Sequence, residues 1–197
     1  MSVIRDGTLA RVLVACEFSG VVRDAFLAEG HDAVSCDLLP TDVPGPHIQG
    51  DVLQVLDDHG PWDLIIAHPP CTALAVSGNR WYGKGKPKHN ERLEAVEWTL
   101  GLWEKLKASA PQVCMENPVG VLPVPATQYV QPWQFGHGET KKTGLWLHGL
   151  EPLEPTRVVE GRHQRIWLLP PSEDRAKVRS TTYAGIAQAM ACQWGGE

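Results

Sequence analysis

Several features are missing from this 197-residue chain, and each absence removes a class of protein. No two of the five cysteines (Cys16, Cys36, Cys71, Cys114, Cys192) form a C-x-x-C, which argues against a zinc knuckle or a thioredoxin-like pair. Their odd number and wide spacing fit reduced thiols in a cytoplasmic protein better than a disulfide framework. No apolar run approaches the roughly 20 residues of a membrane helix. Residues 1–11 lack the apolar core of a secretory signal, so no membrane partner is expected. Positive charge is not in excess: 18 Lys and Arg face 23 Asp and Glu, which disfavours a strong non-specific nucleic-acid binder but leaves room for a local basic patch. Internal repeats, low-complexity tracts and a G-x-G-x-x-G dinucleotide fingerprint are absent too.

What remains is an ordinary globular composition, 43% hydrophobic and 21% charged, in a length that suits one domain spanning residues 1–197. Short apolar runs alternate with helical patterns. Residues 11–15, 33–36, 47–49, 63–67 and 112–115 read as strands, the last stopped by Pro118. Val21, Val22, Ala25, Phe26 and Leu27 recur at helical spacing before Gly30. Residues 52–58 suit a short helix. In residues 91–107, Leu93, Val96, Leu100 and Trp103 share one helical face. Continuous apolar strands alternating with helices imply an α/β fold with a mostly parallel, Rossmann-like sheet covered by helices on both faces.

In such sheets ligands bind outside the carboxyl ends of the strands. Those ends carry Cys16-Glu17-Phe18-Ser19-Gly20, Asp37, Gly50-Asp51, His68-Pro69-Pro70-Cys71 and Glu116-Asn117-Pro118. Ser19-Gly20 lets backbone approach a ligand at the start of a helix. A carboxylate at Asp37 suits a ribose diol, and Asp51 can accept from an exocyclic amine. A nucleoside cofactor without a phosphate cradle fits this set, and S-adenosylmethionine is the candidate. The plainer alternative makes Asp37 and Asp51 helix caps or turn residues. Cys71 follows a strand of core character and two rigid prolines, a placement suited to a nucleophile and equally to a small buried hydrophobe. Glu116, partly desolvated at a neighbouring strand end, is expected to hold a proton near neutral pH. His68 abuts the prolines and either lines the pocket or is structural, the commoner role of a strand-end histidine.

The order Phe18-Ser19-Gly20, Asp37, Gly50-Asp51, Pro70-Cys71 and Glu116-Asn117 resembles the DNA cytosine-5 methyltransferases, above all the short forms encoded by bacteriophages. The resemblance covers about residues 11–120. It implies a Rossmann-like methyltransferase fold and a cytoplasmic location, the host's for a phage-encoded chain. It implies S-adenosylmethionine held by Glu17, Phe18, Ser19, Gly20, Asp37, Asp51, Pro69 and Pro70. It also implies methyl transfer to C5 of a flipped cytosine in DNA, with Cys71 bonding to C6, Glu116 serving N3, and Asn117 orienting the Cys71 loop or touching the base. No metal is needed. The family's basic strand corresponds to Lys141-Lys142-Thr143 running into residues 145–147, or to residues 162–165 running into residues 166–168. Its final helix corresponds to residues 183–190. Residues 150–180 leave space only for a remnant of a target-recognition region.

Residues 80–92 follow the nucleophile and carry five Lys or Arg against one Glu, with Trp81 and Tyr82 among them. Arg80, Lys84, Lys86 and Lys88, together with Lys141, Lys142 and Arg165, are expected to contact DNA, the first four from a mobile lid. The bland alternative for the lid is a solvated loop. Three functions stay open: methylation of DNA, the same chemistry on RNA or a free cytosine nucleotide, and a catalytically inert cofactor-binding module. An amino-methyltransferase is disfavoured, because its Pro-Pro motif usually ends in a base-stacking Tyr or Trp.

Overall fold

The computed structural model describes residues 9–172 and 175–196. Seven strands form one sheet: β1 (Arg11–Ala15), β2 (Asp32–Asp37), β3 (His47–Gln49), β4 (Leu64–Ala67), β5 (Gln112–Pro118), β6 (Gln128–Val130) and β7 (Thr143–His148). Their order is β3-β2-β1-β4-β5-β7-β6. The first five are parallel, and β7 enters antiparallel between β5 and β6. The strand order reverses between β1 and β4, the switch point at which doubly wound sheets open a crevice. The fold is Rossmann-like α/β.

Helices cover both faces. Alternate β-strand residues Val12, Val14, Leu64, Ile66 and Cys114 pack with α1 (Val21–Ala28) and α7 (Ala184–Trp194). The intervening Leu13, Ala15, Ile65, Ala67, Val113 and Met115 face α2 (Val52–Asp58) and α4 (His89–Ser109). Strands buried on both sides need no polar alternation, which is why they read as plain apolar runs. Two short helices, α3 (Asn79–Tyr82) and α5 (Arg165–Leu168), and the two-turn α6 (Arg175–Ser180) complete the set. No helix among the described residues is long and apolar enough to cross a membrane.

Two expectations need correction. The face of α4 is rotated: Leu93 is exposed, and the buried residues are Arg92, Thr99, Leu102, Trp103 and Leu106. Arg92 occupies an inward position because it satisfies backbone carbonyls, a role that hydrophobic periodicity does not register. Residues 166–168 belong to α5, so Thr143–His148 is the strand after the basic pair. β6 was not anticipated from the sequence.

The turn after β1 rests on Gly20 and Arg23. Gly20 has φ +74°, and a Cβ there would lie 2.5 Å from Arg23 Nη2 and 2.7 Å from a Val43 methyl. Arg23 is fully buried and donates to Ser35 and Thr41 hydroxyls and to the Val43 and Pro44 carbonyls, pinning residues 41–45 against α1. Gly20→Ala is therefore expected to destabilise by more than the ~1–2 kcal/mol of a left-handed backbone alone. That lowers Tm by about 4 °C or more in a thermal melt; an unchanged Tm would show that this turn relaxes freely.

Candidate active site

Parallel pairing places the carboxyl ends of β1 to β5 along one edge, so the residues singled out there share a crevice. At the end of β1 the chain turns through Cys16, whose φ of 58° is the one positive value at a non-glycine among the described residues. Glu17 follows, buried, and caps α1 from outside the helix. Its Oε1 accepts from the Val22 amide (2.8 Å) and the Ser19 hydroxyl (3.0 Å), and its Oε2 from the Arg23 amide (3.3 Å). Gly20, the N-cap residue, has no side chain to do this. The carboxylate of Glu17, counted with the cofactor residues, shapes the loop that presents Phe18, Ser19 and Gly20.

Asp37 and Asp51 each make a local turn or cap bond. Asp37 Oδ1 accepts from the Leu39 amide at 2.9 Å, and Asp51 Oδ1 caps α2 through Leu53 at 2.8 Å. Each local bond uses Oδ1. The two carboxylates still act on one place. Burial pushes the Cys16 thiol up to about 12, and the negative charges of Asp37 and Asp51 add to the effect. The site thus has a floor at Cys16, two carboxylates and a glycine turn. These groups match the hydroxyls, amine and edge of a nucleoside, and they hold no cation to bind a phosphate chain.

The ends of β4 and β5 are laced together. Their register pairs Ala67 with Met115, and its continuation sets His68 beside Glu116 and Pro69 beside Asn117. Pro69 and Pro70 have no N–H, so the ladder cannot continue through the backbone. Side chains take over: Asn117 Nδ2 donates to the Pro69 carbonyl at 3.0 Å, and His68 Nδ1 lies 3.3 Å from Glu116 Oε2. Asn117 thus holds the loop that carries Cys71. Beyond the prolines, the Cys71 carbonyl accepts from the Leu74 and Ala75 amides in a tight turn.

Arg92 secures the next stretch from α4. It donates to the Ala73 carbonyl (2.6 Å), the Asn79 side chain (2.7 Å) and the Ala75 carbonyl (3.2 Å). It was counted in the basic lid, and the structure removes it from there. Arg80, Lys84, Lys86 and Lys88 are exposed. They lie on α3 and the turns leading to α4, so this segment has more regular structure than a plain loop. The Arg80 guanidinium sits 5.4 Å from the ring centre of the exposed Trp81, and Lys88 pairs with Glu91 at 3.3 Å.

Around Cys71 the charges compete. Burial pushes its thiol up, Glu116 pushes it further, and Lys141 and Arg179 pull it back. Glu116 departs from expectation. Burial alone would raise it, but the His68 hydrogen bond, the Lys141 charge and a Thr143 hydrogen bond prevail and hold it below the usual carboxylate range. It is therefore ionised at neutral pH, not protonated. Sequence reasoning saw the desolvation but not the donors, which come from β4 and from the segment before β7. Arg179 on α6 was missed as well; nothing local marks it, because its relevance depends on where α6 lands.

A small cleft opens beside this cluster, lined by Glu116, Lys141, Thr143, Thr182 and Tyr183. Lys141 Nζ also donates to the Thr181 carbonyl at 3.3 Å. Lys142 is exposed, its Nζ 4.3 Å from the ring centre of Tyr129. Arg165 is not free: its Nε donates to Glu139 at 2.9 Å, and the Tyr183 hydroxyl donates to the other Glu139 oxygen at 2.6 Å. Residues 157 and 163 bridge to Phe135 and Glu139, tying the 157–163 stretch to the loop before β7. Cys36 and Cys114 are buried and Cys192 is exposed, all unpaired. Among the described residues no three His, Cys, Asp or Glu side chains group as metal ligands.

No family model and no curated protein matches the chain. Among solved structures, a methyltransferase of Entamoeba histolytica aligns with a TM-score of 0.48 and 10% identity, over 84% of this chain and 61% of that one. The chain thus spans about three fifths of that protein's length.

Proposed function

We propose that this protein is an S-adenosylmethionine-dependent methyltransferase that acts on C5 of cytosine in DNA through a covalent bond from Cys71. One observation carries the reading: Cys71 stands on a loop clamped by Asn117, and the charges of Glu116, Lys141 and Arg179 all act on its thiol. A cysteine serving only as core filling needs neither clamp nor cations. The crevice of Cys16, Asp37, Asp51 and Gly20 suits the nucleoside of S-adenosylmethionine, which supplies an electrophilic methyl group when bound.

The chain's own residues account for the rest. C5 of cytosine is a poor nucleophile, because attack from it breaks the ring's conjugation. The Cys71 thiolate adds to C6, turning the 5,6-bond into an enamine whose electrons are available at C5. Lys141 and Arg179 favour the thiolate. Glu116 serves N3, where charge develops as the adduct forms. Once C5 carries its methyl, loss of the C5 proton expels the thiolate and restores the aromatic ring. Arg80, Lys84, Lys86, Lys88 and Lys142 are placed to meet phosphates, and the exposed Trp81 to stack on a displaced base.

The test is incubation with labelled S-adenosylmethionine and, separately, DNA, RNA and dCMP, followed by nucleoside analysis. Label is expected in 5-methylcytosine from DNA. Label in RNA or dCMP alone would change the substrate while keeping the chemistry. Cofactor binding with no transfer to any pyrimidine would leave an inert binding module.

A further inference from the structure

His68 is the one residue of the laced strand ends that the chemistry above does not use. Its side chain is 9% exposed and its backbone amide is fixed by the Ala15 carbonyl at 2.9 Å. Its Nδ1 faces Glu116 Oε2 at 3.3 Å, while its Nε2 is sealed from solvent without any hydrogen-bond partner. A structural histidine at a strand end normally satisfies both nitrogens, or leaves one in water. Here one nitrogen is committed to the carboxylate that serves the base and the other is left orphaned, so the ring's placement is set by Glu116 alone.

We propose that His68 is a positioning residue acting through Glu116: its Nδ1–H aims the carboxyl, and the pair jointly holds the proton that N3 of the base takes up. This rests on the methyl-transfer reading. A carboxylate held ionised in the free protein cannot by itself protonate a base. A histidine–carboxylate pair can, since its protons belong to the pair and not to either group. In the step, the one proton that the pair holds beyond neutral imidazole and carboxylate passes from His68 Nδ1 to Glu116 and on to N3. The pair is left as neutral imidazole and carboxylate, and solvent restores its proton after turnover. The other groups facing this pair are Lys141 from the segment before β7, Tyr183 at the start of α7, Cys71 beyond β4, and Cys114 beneath Glu116 on β5. Arg179 of α6 acts on Cys71.

The test compares wild type with His68→Asn, whose amide keeps a donor where Nδ1 stood but holds no proton to give. His68→Asn is expected to lower kcat by about tenfold or more at neutral pH. It should leave KM for DNA and cofactor and the melting temperature near wild type. An unchanged kcat would overturn the proposal, and so would a loss of kcat that comes with a matching fall in Tm. Nitrogen-15 spectra of the histidines judge it without turnover. His68 should be protonated at Nδ1 in wild type and lose that preference in Glu116→Gln; an Nε2-only tautomer, or no change in the variant, overturns it. Failure of wild type to methylate anything, with this spectral signature present, would sink the methyl-transfer reading and leave the pair standing.

Discussion

DNA containing 5-fluorocytosine, mixed with the protein and S-adenosylmethionine, is expected to yield a protein–DNA species that survives denaturation, and Cys71→Ala is expected to yield none. Fluorine replaces the C5 hydrogen that must leave for the thiolate to be expelled, so the C6–sulfur bond stays closed after methylation. The effect is all or none, because no other cysteine has this placement: Cys36 and Cys114 are core residues, Cys16 lies at the end of β1, and Cys192 stands on the outer part of α7. Gel mobility and intact mass read the result. A persistent adduct in Cys71→Ala would show that another group attacks the ring. Asn117 holds the Pro69 carbonyl with no reach required of Cys71 itself, so the alanine variant keeps its loop and its Tm should stay close to wild type.

Glu116→Gln should pull two readouts in opposite directions. Loss of the carboxyl that serves N3 is expected to slow methyl transfer by roughly 10²-fold or more, the scale of general acid–base assistance. The same change should speed alkylation of Cys71 by iodoacetamide at neutral pH. Burial is the main reason the Cys71 thiol lies high, but Glu116 adds to it and Lys141 opposes it. Removing the negative charge lowers the thiol's pKa and frees Lys141 to favour the thiolate. The sign follows: a raised thiol is mostly protonated at neutral pH, its reactivity rises with pH, and in the variant that rise begins at lower pH. Equal alkylation profiles would mean that Glu116 and Cys71 do not share an electrostatic environment, and the proposed active site would fall.

The framework of this protein was legible in its residues for a simple reason. β1, β4 and the first half of β5 are buried on both faces, and only continuous apolar runs tolerate that; Gly30 and the capping Asp51 marked helix boundaries that local backbone chemistry dictates. A parallel sheet then has one carboxyl edge, so Cys71, Glu116, Asp37 and Asp51 could be gathered before any coordinate was known. The amphipathic face of α4 was not legible, because Arg92 sits inward to bind carbonyls that belong to another segment. The bonds that decide function were likewise hidden. Whether Glu116 carries a proton depends on His68, Lys141 and Thr143, and whether Asn117 touches a base or a backbone depends on the carbonyl that Pro69 offers. Residue types and periodicity determine which groups reach the crevice, since these are local and repeat along the chain. Only the packed fold decides their charge and direction, since these are set within about 3–4 Å by partners from distant parts of the chain.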